Sequence, residues 1–190
     1  QAAIPRTERL EEEVEGLAKV SQKAASILCG MTERTTTHKI LHIGVENDVD
    51  TGLTFPYFLG SSSTFDVSGV GESDLPFDAI KDAHNYSAVH SFTANGGMPL
   101  EYRKNGFQYV VAISPTTSLT SPFITPGTAL DYTTDGGYII YGVPEATWEK
   151  AGVMNEIMEL DNANKAQMLA VQIIDDVLGS KYYLSLIRKA

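Results

Sequence analysis

The sequence predicts an α+β protein, an antiparallel β-sandwich or curled sheet with helices at its two ends. Three observations carry that expectation. A stretch with helical spacing near the start runs into one with strand alternation at Lys39. Tight-turn dipeptides then recur as far as Pro144. Beyond that proline the helical spacing returns. The expected organisation is a single domain over residues 1–190: an N-terminal amphipathic helix about 8–29, a β body about 39–143 and a C-terminal helical region about 145–178.

The first element is justified by Leu10, Val14, Leu17, Ser21, Ala24 and Leu28, which recur on one helical face. Pro5 and Thr7 stand where such a helix starts, Glu8 and Glu11 to Glu13 suit the positive end of its dipole, and Gly30 marks its stop. From Lys39 to Val45 the period is two. Leu53 to Leu59 reads as a second strand, with Pro56 marking an edge or bulge. Phe65, Val67 and Val70 suit a short strand, Asp78 to His84 a helical turn or loop, and Tyr86 to Thr93 an extended segment. Asn95-Gly96-Gly97 and Asn105-Gly106 are hairpin signals around a strand Pro99 to Arg103, because Asn and Gly tolerate positive φ. Phe107 to Ser114 has the strongest strand pattern and is expected at the centre. Asp135-Gly136-Gly137 turns a further hairpin between Ala129–Thr133 and Tyr138–Val143. Glu145 to Glu159 and Ala163 to Leu178 read as helices, the second with Ala166, Leu169, Ala170, Ile173, Ile174 and Val177 on one face. Lys181 to Arg188 alternates as a final strand.

Composition bounds the function. A chain of 190 residues, 43% hydrophobic and 20% charged, can bury a core. A net charge of −10 makes nucleic acid and anionic membranes poor partners and leaves a zwitterionic lipid, a sugar or another protein. No apolar run approaches the roughly 18 residues of a membrane-spanning helix. The chain begins at Gln1 rather than Met, which points to processing or trimming, and Asn85-Tyr86-Ser87 is a glycosylation sequon consistent with a secreted protein.

Catalytic chemistry finds little footing. Cys29, the single cysteine, lies at the expected C-terminal end of a helix, where the dipole disfavours a thiolate, and reads as a core thiol. No G-x-S-x-G elbow is present. His38 with His42, and His84 with His90, are spaced to share strand faces, yet no cysteine–histidine cluster supports a metal. Glu46, Asp48 and Asp50 read as a solvated acidic loop, as do Asp74 and Asp78. The glycine pairs fall between strands rather than before helices, so no phosphate cradle is expected. Aromatic residues are the better lead. Phe55, Tyr57 and Phe58, then Tyr102, Phe107 and Tyr109, then Tyr132, Tyr138 and Tyr141 form groups suited to cross-strand packing or to stacking on sugars and choline head groups.

The stretch HKILHIGVENDVDTGLTFPYFLGSSSTFD resembles the first β-hairpin of actinoporins, the pore-forming cytolysins of sea anemones. The matching pieces are Ile43-Gly44-Val45-Glu46-Asn47, Leu53 to Phe58, and Gly60-Ser61-Ser62, with Val110 to Pro115 resembling the family's central strand. The resemblance implies a β-sandwich flanked by helices, a phosphocholine-type site near Ser62, Ser114 and Pro115, and a helix around Leu10 to Leu28 that swings out to line an oligomeric pore. Tyr57 is the aromatic candidate beside that site.

The expected function is therefore non-enzymatic: a secreted, actinoporin-like, lipid-binding or head-group-binding protein that uses Leu10, Val14, Leu17 and Leu28 on a membrane or a partner. The alternative is an oligomeric binding or structural assembly protein, lectin-like or self-assembling, whose helices make subunit contacts. Self-association is expected, and no cofactor or metal is implied.

Overall fold

A computed structural model describes residues 6–32, 36–45, 54–60, 64–72, 76–93, 97–113, 124–177 and 179–190, with the backbone alone for 6–17 and 84. The elements follow in chain order as α1 (Arg6–Met31), β1 (His38–Ile43), α2 (Phe55–Leu59), β2 (Phe65–Gly71), α3 (Phe77–His84), β3 (Ala88–Ser91) and β4 (Phe107–Ile113). Then come α4 (Pro126–Tyr132), β5 (Thr133–Pro144), α5 (Glu145–Lys150), α6 (Val153–Asn162), β6 (Ala166–Val177) and β7 (Ser180–Lys189).

The strands form one seven-stranded sheet in the order β3-β2-β1-β4-β5-β7-β6. β3, β2, β1, β4 and β5 are parallel neighbours, whereas β7 runs antiparallel to both β5 and β6. This overturns the antiparallel β-sandwich. Parallel strands need crossovers rather than hairpins, and α2, α3 and α4 stand in the crossovers among the described residues. Helices then cover both faces. One buried cluster joins Val20, Ala24, Ala25 and Leu28 of α1, Phe55 and Leu59 of α2 and Ile80 of α3 to Ile40, Val67, Val111 and Ile140 of the sheet. The other joins Ala129 and Leu130 of α4 and Val153 and Ile157 of α6 to Leu41, Val70, Val110, Ile139 and Tyr141. Alternate residues of β4 thus enter opposite cores, which is why FQYVVAI reads as a nearly continuous apolar run. Its central position is as expected.

Several sequence expectations hold: the N-terminal helix, the strands at Lys39, Phe65, Phe107, Tyr138 and Lys181, and a helix within Asp78 to His84. Others are corrected. Leu53 to Leu59 is not a strand over its described part; Phe55–Leu59 is helical, with Thr54 at the N-cap and the proline in the first turn, where its fixed φ suits a helix. Ala129 to Thr133 belongs largely to α4, opened in the same way by Thr125, whose Oγ1 accepts the Thr128 N–H, and by Pro126. Pro99 to Arg103 forms turns. The Asp135-Gly136-Gly137 signal is a bulge inside β5 rather than a hairpin, since the register jumps between the Phe107–Thr133 and Tyr109–Tyr138 pairs. Gly137 is required there: a Cβ would stand 2.6 Å from the Gln108 carbonyl oxygen. The Ala163 to Leu178 helix is replaced by the edge strand β6.

Candidate functional site

In an open parallel sheet the crevice for a ligand lies beyond the carboxyl ends of the strands, where successive crossovers leave in opposite directions. Here that switch point falls between β1 and β4, because β2 and β3 extend the sheet on one side of β1 and β5 lies beyond β4 on the other. The described residues at this end are Gly44 and Val45 after β1, Thr54 at the start of α2, Glu72 after β2, Thr93 after β3 and Ile113 at the end of β4. Residues 46–53 and 114–123 lie outside the described residues.

Gly44 has φ +99°, a conformation glycine adopts without strain, and its N–H donates to the Val70 carbonyl at 3.0 Å. The chain can therefore turn sharply off β1 with no side chain at the turn. Thr54 is 1% exposed, caps no N–H, and its Oγ1 has no partner among the described residues. A buried hydroxyl without a partner costs about 1–3 kcal/mol. Glu72 is half-buried one residue past β2. Just past β3 the Thr93 backbone and hydroxyl both bond to the Gly97 backbone.

Behind this rim the sheet is packed tightly. His42 is fully buried, lies 2.6 Å through Nδ1 from the Tyr86 hydroxyl, stacks on that ring and tilts against Phe55. Burial pulls its pKa down to about 3. The ring is neutral at physiological pH and serves as a core residue, not as an acid–base group.

The sequence-predicted site residues are not brought together by anything described. Ser62, Ser114 and Pro115 lie outside the described residues. Tyr57 is 57% exposed on α2, edge-on to Phe58. Leu28 is fully buried in the core between α1 and the sheet, and Leu10, Val14 and Leu17 lie on the same helix with their side chains outside the description. Cys29, expected in the core, is exposed. His38 and His42 share a face of β1 as expected but stand in different surroundings, His38 against Phe65 and Tyr109. His90 pairs with Glu101 at 3.0 Å. Among the described residues no three metal-ligating side chains converge, and no helix is long and apolar enough to cross a membrane. Gly44, Thr54 and Glu72 were missed. Thr54 with Pro56 carries a helix-start signal that could have flagged the strand–turn–helix unit in which such a site sits.

No family model matches the sequence, and no curated protein matches it. Solved structures do match its shape. A putative class I S-adenosylmethionine-dependent methyltransferase from Listeria monocytogenes superposes with a TM-score of 0.62 at 16% identity, over 90% of this chain and 59% of its own. The fold is that of the class I methyltransferases. The chain thus spans a little over half of the Listeria protein, but most of a TehB-like methyltransferase from Corynebacterium glutamicum: 86% of that chain and 87% of this one, with a TM-score of 0.58 and 14% identity. The Burkholderia thailandensis 1,6-didemethyltoxoflavin N1-methyltransferase, solved with its substrate and S-adenosylhomocysteine, matches over 92% of this chain and 78% of its own, with a TM-score of 0.57 and 15% identity.

The methyltransferase fold removes the basis of the actinoporin resemblance. The pore-forming and lipid-binding expectations rested on a sandwich the chain does not form, and a fold shared with methyltransferases overturns the non-enzymatic expectation and gives the assembly alternative no support. Nothing in the likeness supports a lipid or sugar partner or self-association.

Proposed function

We propose that this chain is a methyltransferase that binds S-adenosylmethionine at the β1–β4 switch point and methylates a small molecule. The observation that carries the proposal is the topology: a parallel five-strand core extended by a reversed β7, superposing over about nine-tenths of the chain on proteins named for this chemistry. Fold alone does not fix function, so the support must also come from the residues at the crevice. Three of them fit the group. Gly44 lets the backbone approach a ligand closely at the end of β1. The Glu72 carboxylate is an acceptor of the kind a ribose diol needs. Thr54 presents a buried hydroxyl that lacks a partner among the described residues. When bound, S-adenosylmethionine supplies an electrophilic methyl group on a cationic sulfur, and a chain of net charge −10 favours its approach. His42, held neutral in the core, takes no part in proton transfer.

Titration calorimetry with S-adenosylmethionine and S-adenosylhomocysteine tests this. Saturable binding in the micromolar range is expected, weakened about tenfold or more by Glu72→Ala and by Gly44→Val. Absence of saturable binding of either compound at millimolar concentration overturns the proposal.

A further inference from the structure

The turn that leads into β4 holds an Asn-Gly pair, Asn105-Gly106, and the fold asks for both residues. The Gly106 N–H donates to the Arg103 carbonyl at 3.1 Å, and Asn105, at the third position of that turn, has φ 56°. Asparagine tolerates this left-handed conformation better than most residues. At position 106 a Cβ would stand 2.7 Å from the Arg103 carbonyl oxygen, so only glycine fits without a shift.

The same dipeptide is chemically labile. The Gly106 nitrogen can lose its proton to solvent base and attack the Asn105 Cγ. The bond from Cγ to the side-chain nitrogen then breaks and ammonia leaves, closing a succinimide ring. Water opens the ring at either carbonyl, leaving aspartate or isoaspartate at position 105. With glycine next in sequence, no side chain hinders the attack.

Three features of the folded chain oppose that reaction. The ring needs the Gly106 nitrogen almost eclipsed with the Asn105 Cβ, whereas the ψ of about 0° at this turn position directs it away. The Asn105 N–H donates to the Asp131 carbonyl at 2.9 Å, which fixes the backbone. The Asn105 Oδ1 accepts from Lys189 Nζ at 2.6 Å, which fixes the side chain. Lys189 is itself set in place. Its Nζ also donates to the Leu130 carbonyl at 3.0 Å, in the last turn of α4, and to the Thr133 carbonyl at 2.8 Å, so all its N–H groups are used. Asp135, 3.9 Å away, adds an opposite charge at the surface. Lys189 ends β7, so the clamp on Asn105 closes only when β7 is docked beside β5.

We propose that Asn105 is a deamidation site that Lys189 holds closed: it is inert while β7 is docked, and it converts to aspartate or isoaspartate in molecules whose β7 end has come loose. Isoaspartate routes the main chain through the former side chain, so the turn that set the acceptor against Lys189 does not re-form. The modification therefore records local opening irreversibly. The site lies at the amino end of β4, away from the β1–β4 crevice, and does not depend on methyl transfer.

Peptide mapping by mass spectrometry after incubation at mildly alkaline pH tests the proposal. In the unmodified chain Asn105 should convert about tenfold or more slowly than in a synthetic peptide of residues 103–110 in the same buffer, as one intact charge-assisted hydrogen bond predicts. Lys189→Met keeps the aliphatic stem, removes the donor and should raise the rate at Asn105 by a similar factor. Asn95-Gly96, the other Asn-Gly pair in the sequence, is the internal reference. Global loosening raises both rates together, whereas loss of the clamp raises the ratio of Asn105 to Asn95. The peptide comparison stands whether or not the variant folds. A folded chain that converts at Asn105 as fast as the peptide, or a Lys189→Met chain in which the ratio is unchanged, overturns the proposal.

Discussion

The two halves of the sheet are built from similar residues and treat them differently. In the parallel half, Val110, Val111, Ile139 and Ile140 are buried on either face, because helices cover both sides of the sheet. In the antiparallel half, β6 carries Leu169, Val171 and Ile173 at 45%, 36% and 52% exposure. β6 is a terminal strand, and its outer rim pairs with nothing described. The difference shows that strand chemistry alone does not decide burial; position relative to the helical layers does. It also shows how the rim is kept from acting as a template. Two register shifts interrupt β6, between Met168 and Ala170 and between Ile174 and Val177, and Asp175 and Asp176 sit in the second with Asp176 at φ 59°. Bulges and charges of this kind blunt an exposed edge.

The sharpest way to break the comparison is to place the same charge in both halves. Val111→Asp should cost more than about 4 kcal/mol or leave no folded protein, whereas Val171→Asp should cost under about 1 kcal/mol, both read from urea unfolding. Equal losses would mean that β6 is covered after all.

Acid separates the halves next. The folded pKa of His42, about 3, lies below its unfolded value near 6.5, so the unfolded chain takes up the proton first. The contribution is complete above pH 6.5 and is lost as pH falls toward 3. By pH 5 this single group should lower stability by about 2 kcal/mol, a loss that His42→Leu removes. Unfolding midpoints at pH 7, 6 and 5 read the slope directly.

Removing one hydroxyl is a milder contrast. The Tyr141 hydroxyl in the parallel half donates to the Ile124 carbonyl at 2.7 Å within the core, so Tyr141→Phe should cost about 1–2 kcal/mol. Tyr183 on β7 donates to Glu145 at 3.0 Å nearer the surface, and Tyr183→Phe should leave the unfolding midpoint in place. The smallest effect belongs to the edge itself: Ile173→Thr should change stability by no more than about 0.5 kcal/mol in the same assay.

The same contrast explains what could be read in the sequence. β1, β4 and β5 were legible because burial on both faces enriches them in β-branched and aromatic residues. Their parallel pairing was not, because Asn105 and Gly136 carry hairpin chemistry but serve a loop and a bulge. β6 was misread as a helix for a physical reason. Its two register shifts break the two-residue period, so Ala166, Leu169, Ala170, Ile173, Ile174 and Val177 fall at helical spacing while lying on a strand. The aromatic segment at Phe55 was read by composition, although Thr54 and Pro56 spell a helix start. The candidate site was least legible. Gly44 was read as part of the alternation from Lys39 to Val45, and Thr54 and Glu72 acquire meaning only when β1, β2 and α2 are placed side by side.

The position of β7 has a consequence in time. It is the last of the described strands in sequence, yet it lies between β5 and β6. While a nascent chain is being made, β5 has no neighbour on that side until residues as far as Lys189 have left the ribosome, and β6, already complete, must wait unpaired. A chain stopped before Tyr183 would leave Ile139, Tyr141 and Val143 without their antiparallel partners Ile187, Ser185 and Tyr183. Chaperone capture and aggregation should therefore be most severe for chains released within the final ten-residue strand.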